Sequence, residues 1–544
     1  MIIIVTGLPA SGKSSTAKEI AKHYGYKLLS KDCIQEKLFK KYGFNNHEEK
    51  LALVKEADSI LQSSIKREIK KNNSIVIDKY VRDWSYYDEL FLSGYNVKCI
   101  RLDAKSSILE KRYHARNHSI ESRLASRIFN VYPYIKGLSF VVPDITAKDY
   151  SWRKKNEQLS SALIPTIDIN TDNFDHYQES LRKIYGFVDQ KSQFKKYDFV
   201  VVGAGLSGLT IAERIANELN KKVLVIEKQK YIGGACYDSK NEKGLLVSNY
   251  GPHTFHTDDS EVFEYLTKFC KWHEYYHYAR SFVNGKWVSF PINKQTFKDL
   301  YDVDLSDDEM NQFIIEHNDE IIEMFFNNFT FKQWGVDRKE LDPTVIARIP
   351  FRCNYDTRYF TDKYQGNPVG GYTKIFNKMI KNKNIKVVTG RDYKDVIKFI
   401  EYKKMVYTGP LDYYFNQKLG PLLYRSVKFY FETHKTNSYQ PQPSSRFPGN
   451  EYPYTRITEF KKMTGQKSKY TTILKEIPCF GGIEYYPYWT KEYIELANKY
   501  RELAKLEKNT YFLGRLGEYR YYDMDDAIRS ALNLFQVIKE TSGE

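Results

Sequence analysis

Apolar residues along the chain come in short runs closed by glycine or an acid, and most are followed by a stretch with helical spacing. MIIIVTG is the first such run, and ASGKSSTAKEIAKHYG after it repeats apolar positions at the period of a helix. YKLLSKD predicts a second strand ending at Asp32, NNSIVIDKY a third ending at Asp78, NVKCIRLDA a fourth and LIPTIDIN a last one. KSSILEKRYHARN and NFDHYQESLRKIYG read as helices. Buried runs alternating with helices predict a parallel sheet. The period is lost in VDQKSQFKK, which reads as a polar linker over 187–196. The alternation then restarts in KYDFVVVGAGLSGLTIAERIANELNKKVLVIEK as strand, turn, helix and strand. Further on, HEYYHYARSFVNGKWVSF holds two aromatic runs joined by Asn-Gly, the signal of a β-hairpin.

A chain of 544 residues exceeds one ordinary core, so two or three domains are expected. With 42% hydrophobic residues it can fill them. A formal charge of +16 favours acidic partners such as nucleotides or phosphorylated sugars, although lysine-rich exposed helices account for charge as well. No apolar run approaches the roughly 18 residues of a membrane span, and MIIIVTGLPA is too short and too poor in basic residues for a signal peptide. The six cysteines never form CxxC pairs, so disulfides and a zinc site are not expected and a reducing cytoplasm fits best.

Gly7 to Ser14 match G-x-x-x-x-G-K-[ST] between a strand and a helix. Gly7 and Gly12 let the backbone approach phosphate, Lys13 reaches the β/γ-phosphates, Ser14 and Ser15 open the helix, and Ser14 can ligate Mg²⁺. Asp32 and Asp78, read at strand ends, face the ligand crevice of a parallel sheet. Either can hold the magnesium shell or accept the proton of an acceptor hydroxyl, and an N-cap is the other use of such an aspartate. Arg112 and Arg116 share a helix face and are candidates for a lid over ATP. Residues 1–186 resemble the small P-loop kinases, which leaves the acceptor open.

In the second alternation Gly203, Gly205 and Gly208 supply G-x-G-x-x-G, and Glu227 ends the next strand where an acid bonds a ribose hydroxyl. Gly233 and Gly234 in YIGGACY offer another close backbone approach, which suits FAD better than NAD. His273, Glu274 and His277 fit H-E-x-x-H, but that motif needs a helix and this segment reads as strand.

A longer set of motifs follows: YGPHTFHT (250–257), FPIN (290–293), KQWG (332–335), RIPFRCNYDTRYFTDKYQGNPVGGYTK (348–374) and YTGPLDYYF (407–415). YRSVKF (424–429), PYTRITEF (453–460), YYP (485–487) and GRLGEYRYYDMD (514–525) extend it. Together these motifs give the chain, from about Tyr197 onward, a resemblance to the UDP-galactopyranose mutases. It implies an α/β multidomain chain, in which the P-loop domain is followed by a Rossmann-like FAD-binding domain with a small helical insertion, about 294–347, and an antiparallel sheet. It also implies interconversion of UDP-galactopyranose and UDP-galactofuranose, or an N-acetyl analogue, without net redox change. Reduced FAD attacks the anomeric carbon through N5 and displaces UDP, the sugar ring opens and recloses, and UDP returns.

The resemblance assigns Arg348 and Arg456 to the departing diphosphate, a task for arginine's planar donors. Trp334, Tyr359, Asn293 and Phe329 fall to the lid and nucleotide pocket, and Tyr486 and Tyr521 to the diphosphate. His253, His256, Arg515, Asp523 and Met524 lie beside FAD. Three departures stand out: a short segment between Asn293 and Trp334, which leaves the oligomeric state open; Phe329 where the family commonly has Tyr; and Ala235–Cys236 where Asn–Ala is usual. The expected whole is a cytoplasmic bifunctional enzyme using FAD, ATP and Mg²⁺ on a UDP-sugar and an unnamed kinase acceptor. A flavin oxidoreductase of amine-oxidase type is the alternative. A nucleic-acid-binding ATP-dependent protein is a further one, and no stable nucleic-acid partner is expected.

Overall fold

The computed structural model describes residues 1–116, 146–173, 176–190, 194–342 and 351–541. The chain forms two compact units, Met1–Lys196 with Asp395–Glu401 and Tyr197–Lys394 with Tyr402–Glu544.

The first unit runs β1 (Ile2–Gly7), α1 (Lys13–Tyr24), β2 (Lys27–Ser30), α2 (Lys31–Tyr42), α3 (His47–Lys70), β3 (Ile75–Asp78), α4 (Ser85–Leu92), β4 (Val97–Asp103), α5 (Ser106–Arg116), α6 (Ala147–Asn156), β5 (Thr166–Asn170) and α7 (Tyr177–Asp189). Its sheet has the order β2-β3-β1-β4-β5 with every pair parallel. Strands covered on both faces need apolar residues at every position, and IIIVTG of β1 is buried throughout. Ile3, Val5 and Val76 meet Ala17 and Ile20 of α1 in the core on one face. Asp32 departs from the expected strand end. β2 stops at Ser30, and Asp32 sits in the first turn of α2, where a carboxylate favours the helix dipole.

The second unit opens with β6 (Lys195–Val202), α8 (Leu206–Glu218) and β7 (Val223–Glu227). Strand Ile385–Thr389 pairs parallel with β7, strand Ile400–Tyr407 lies on the other side of β6, and Thr510–Phe512 closes a five-stranded sheet. Helix α8 packs against helix Met524–Thr541 in the same core. The expected hairpin is present: Ala279–Val283 pairs with Lys286–Phe290 across Asn284 and Gly285, both at positive φ. It edges a seven-stranded sheet that continues through Ser444–Arg446, Arg456–Glu459, Thr471–Phe480, Tyr424–His434 and Tyr486–Pro487. All its pairings are antiparallel except that of Ala279–Val283 with Ser444–Arg446. Short helices Lys294–Tyr301, Asp307–Glu316, Asn318–Ile322 and Asn328–Trp334 follow the hairpin. Among the described residues no helix is long and apolar enough to cross a membrane.

Candidate functional site

In the first unit, the turn after β1 leads into α1 through Gly12, with Ser14 and Ser15 exposed at the helix start. Lys13 is buried, its ammonium donating to the Leu8 carbonyl at 3.2 Å. Asp78 stands at the end of β3, 2% exposed, and accepts from the Ser30 hydroxyl at 3.2 Å. Burial pushes its carboxyl above the usual range; Ser14 and Lys13 oppose the shift and the Asp32 charge adds to it. One Asp78 oxygen is buried with no hydrogen bond. A buried acid with an orphaned oxygen beside the loop's serine suits a hydrated divalent cation. Arg112 donates to the carbonyls of Thr171 and Asp172, and the Thr171 hydroxyl is 3.2 Å from the Ser11 carbonyl of the loop. Arg112 is thus tied to the turn beside the glycine loop. The Arg116 side chain lies outside the described residues.

In the second unit a cleft of about 400 Å³ runs along the carboxyl ends of β6 and β7. Its lining includes Gly203, Gly205, Gly208, Glu227, Gly233 and Gly234, and also His253, Arg515, Asp523 and Met524. Two close approaches build it. A Cβ on Gly208 would lie 2.1 Å from the Gly203 carbonyl oxygen, and one on Gly234, which has positive φ, would lie 3.0 Å from Gly205 Cα. Two bare backbone loops therefore meet where a pyrophosphate passes in a dinucleotide site. Glu227 is fixed by the amides of Ala204 and Gln229, each donating at 2.7 Å to one of its oxygens, and burial keeps its carboxyl above the usual range. The second lone pairs of those oxygens can still accept ribose hydroxyls. These residues fit FAD. Cys236, one of the departures, is buried with its thiol 3.7 Å from Met524 Sδ, and burial pushes its pKa up to about 12.

His256 does not line this cleft. Its ring stacks on Phe360 at 3.6 Å and its Nδ1 is 3.3 Å from the Asp362 carboxylate. His253 has Nδ1 2.9 Å from the Gly251 carbonyl, which fixes the proton on that nitrogen. Its pKa is down at about 4 through burial, with Arg515 and Arg456 adding.

Arg515 belongs to a second group. Its guanidinium lies 5.2 Å from the Tyr486 ring and 5.3 Å from that of Tyr521. These two rings stack at 5.6 Å, and Trp334 stands 6.2 Å from each. Arg456 pairs with Glu476 through both nitrogens of its fork, Nη2 to Oε1 at 2.9 Å. Burial opposes the Arg456 charge, and Glu476, with Tyr486 and Tyr359 close by, outweighs it. Tyr359 packs on His277 and Phe290.

Asn293 stands at the start of a helix. It is fully buried and caps helix Lys294–Tyr301: its oxygen accepts from Thr296 N at 3.2 Å and its amide donates to Ser289 Oγ and the Pro291 carbonyl. Both ends of the amide are engaged in holding the turn. Arg348 lies outside the described residues. His273 and Glu274 lie on strand Trp272–Glu274, and His277 lies beyond it, bonded to the Tyr275 hydroxyl at 2.8 Å.

Three neighbours of these groups drew no role from the linear motifs, although Lys332 and Arg425 fall within KQWG and YRSVKF. Glu476 orients Arg456. Arg425, 3% exposed, donates to the carbonyls of Gln333 and Lys332 at 2.9 and 3.0 Å and so holds the helix end that carries Trp334. Lys332 donates to the carbonyls of Phe447 and Gly449, at 2.5 and 2.7 Å, tying that helix to the loop before Arg456. All three are cross-strand or helix-to-loop contacts, which local pattern does not encode.

A glycine-walled cleft on a Rossmann-like sheet, with an arginine beside stacked aromatics in its lining, defines a dinucleotide-binding unit. Family models agree: an NAD(P)-binding Rossmann-like domain matches residues 201–269, UDP-galactopyranose mutase matches 324–521, and an AAA domain matches 3–129. The dTDP-fucopyranose mutase of Escherichia coli is 32% identical over 63% of this chain and 99% of its own length. A probable UDP-galactopyranose mutase of Klebsiella pneumoniae is 34% identical over 62% of this chain and 93% of its own. A crystal structure of reduced UDP-galactopyranose mutase shares the fold, with a TM-score of 0.51 at 16% identity over 64% of this chain and 96% of that one. Over its C-terminal two thirds the chain belongs to the UDP-galactopyranose mutase family.

Proposed function

We propose that the second unit interconverts the pyranose and furanose forms of a nucleotide-linked hexose, UDP-galactose being the substrate the family match favours. The observation that carries this reading is Arg515. It lines the dinucleotide cleft and also lies beside Tyr486 and Tyr521, so cofactor and substrate groups share one cation. FAD held in the glycine-walled cleft would, when reduced, supply the nucleophile for the anomeric carbon. The chain's own residues do the rest. Arg456, its fork held flat by Glu476, meets the charge that develops on the departing diphosphate, and Tyr486 and Tyr521 offer hydroxyls to the same oxygens. Trp334 and Tyr359 supply ring surface for the nucleotide, and Arg348 is assigned to the diphosphate by its motif. His253, neutral at working pH, keeps Nε2 as an acceptor beside the cleft. The identity to a dTDP-fucopyranose mutase favours one further reading, a deoxythymidine-linked deoxyhexose as substrate.

The test is turnover of UDP-galactose and dTDP-fucose by the purified full chain, with and without dithionite, resolved by HPLC. Furanose product from the reduced protein alone supports the reading. Stoichiometric consumption of NAD(P)H or oxygen per product instead indicates an oxidoreductase.

For the first unit we propose ATP-dependent phosphoryl transfer, with Lys13 and Ser15 on the phosphates, Ser14 and Asp78 around Mg²⁺, and Arg112 closing from the side. Asp32 shares the Asp78 neighbourhood and is the candidate to accept the acceptor's proton. Release of ADP that depends on an added acceptor tests it.

A further inference from the structure

One row of residues crosses the seven-stranded sheet. Ser281 stands opposite Arg446, Arg446 opposite Arg456, and Arg456 opposite Glu476. Directly opposed residues share a face, and like charges so placed repel. Glu476 neutralises Arg456. Arg446 is 5% exposed and makes no side-chain hydrogen bond or ion pair with any described residue. Its guanidinium is instead sandwiched between rings, 3.7 Å from the centroid of Phe290 and 4.0 Å from that of Phe329. Burial takes its pKa down to about 10; Tyr359 resists the fall and the Arg456 charge adds to it. It remains a cation at neutral pH.

An unpaired buried charge is costly, and here the cost is raised by a second arginine across the strand. Stacking satisfies the two faces of a guanidinium but none of its N–H groups, which lie in the plane. Between two rings, only that edge can take a ligand. Such an edge, set beside the Arg456 donor edge that Glu476 leaves free, matches two oxygens of an anion and is already oriented.

We propose that Arg446 is a substrate-binding residue whose guanidinium edge receives the diphosphate of the bound nucleotide sugar, supplying with Arg456 the second arm of an arginine pair. Phe290 and Phe329 hold the plane, so Phe329 acts through its ring face and not as a polar contact. The assignment rests on the mutase reading of the second unit.

The experiment compares binding of UDP with uridine, and of dTDP with thymidine, to the FAD-loaded full chain by calorimetry. The variants are Arg446→Gln, Arg446→Lys and Phe329→Ala. Loss of a charge-assisted contact predicts that Arg446→Gln weakens the diphosphates about 10-fold or more while the nucleosides stay within about twofold. Arg446→Lys keeps charge without the planar fork and follows it, and Phe329→Ala moves the same way by less. The melting temperature of the ligand-free protein holds or rises in Arg446→Gln, because an unpaired cation has gone, where a residue needed only for packing would lower it. A wild type that holds UDP or dTDP no better than the nucleoside overturns the mutase reading and this assignment with it. A wild type that favours the diphosphate, with all three variants keeping the same margin, overturns the role of Arg446 alone.

Discussion

Arg456 and Glu476 stand opposite each other on neighbouring antiparallel strands and close a two-pronged ion pair, with Nη2 2.9 Å from Oε1. The pair consumes one edge of the guanidinium and fixes its plane. What remains free is a donor edge whose direction is set before any ligand arrives, and such preorganisation is what stabilises developing charge. Replacing Arg456 by Lys keeps the charge and loses the fork. Turnover is expected to fall about 10²–10³-fold, with UDP affinity falling much less. Single-turnover kinetics on reduced protein, with flavin content checked by absorbance, measure both. Turnover within a few-fold of wild type removes Arg456 from the reaction.

Glycine at 208 is required by packing. A methyl group there would overlap the Gly203 carbonyl oxygen at 2.1 Å, and that atom belongs to the turn between β6 and α8. Gly208→Ala must therefore open the turn and is expected to purify without bound flavin, read from the loss of its visible absorbance. Gly186→Ala, on α7 with nothing within 4 Å of the added carbon, serves as the control and keeps its flavin. A yellow Gly208→Ala protein would show that the turn tolerates the displacement.

Both glycine loops were legible because their chemistry is local: a strand, a tight turn and a helix start lie within about twenty residues. The alternation of apolar runs and helices likewise predicted the first parallel sheet, and β6 and β7 of the second, while the other three strands of that sheet come from distant segments. Asp32 was misplaced by two residues because the polar SKD after Leu28–Leu29 does not mark in sequence where strand gives way to helix, yet Ser30 ends the strand and its hydroxyl turns to Asp78. His256 shares a motif with His253, but successive residues of an extended segment face opposite sides and the two are an odd number of residues apart, so its ring packs on Phe360. Arg446 carried a faint signal. It lies ten residues before Arg456 across PGNE, the spacing of a hairpin, but only the register shows the two arginines meeting.

Two histidines set the acid limit of the second unit. Burial takes His277 down to about 3, with the Arg456 and His256 charges adding, and His253 to about 4. In the unfolded chain both titrate near about 6.5. Between those values the unfolded state binds more protons than the folded one, so stability rises with pH across the window. Conversely it is full above about pH 7 and drains away as the pH falls toward 4. Melting temperature recorded from pH 7.5 to 4.5 is expected to fall, and less steeply in a His253→Gln, His277→Gln double variant. Identical slopes would place the acid sensitivity in other groups.

The first unit makes a separate prediction. Lys13 is the cation of the glycine loop, and its ammonium donates to the Leu8 carbonyl. Lys13→Ala is expected to abolish ATP turnover and weaken ATP binding, because no other side chain of that loop carries positive charge. Asp78→Asn separates binding from metal use. The carboxyl is held above its usual range by burial, so a divalent cation nearby is what favours its charged form. An amide in its place keeps a hydrogen-bonding partner for Ser30 but offers the cation no charge. The variant is expected to bind a fluorescent ATP analogue within about threefold of wild type while losing the Mg²⁺-dependent gain in affinity and at least about 10²-fold in ADP release. Sugar isomerisation, measured on the same preparations, is expected to stay near wild type in both variants because its residues belong to the other compact unit. Parallel loss of isomerisation and ATP turnover in Lys13→Ala, with flavin retained and melting unchanged, would instead show that nucleotide in the first unit governs the second.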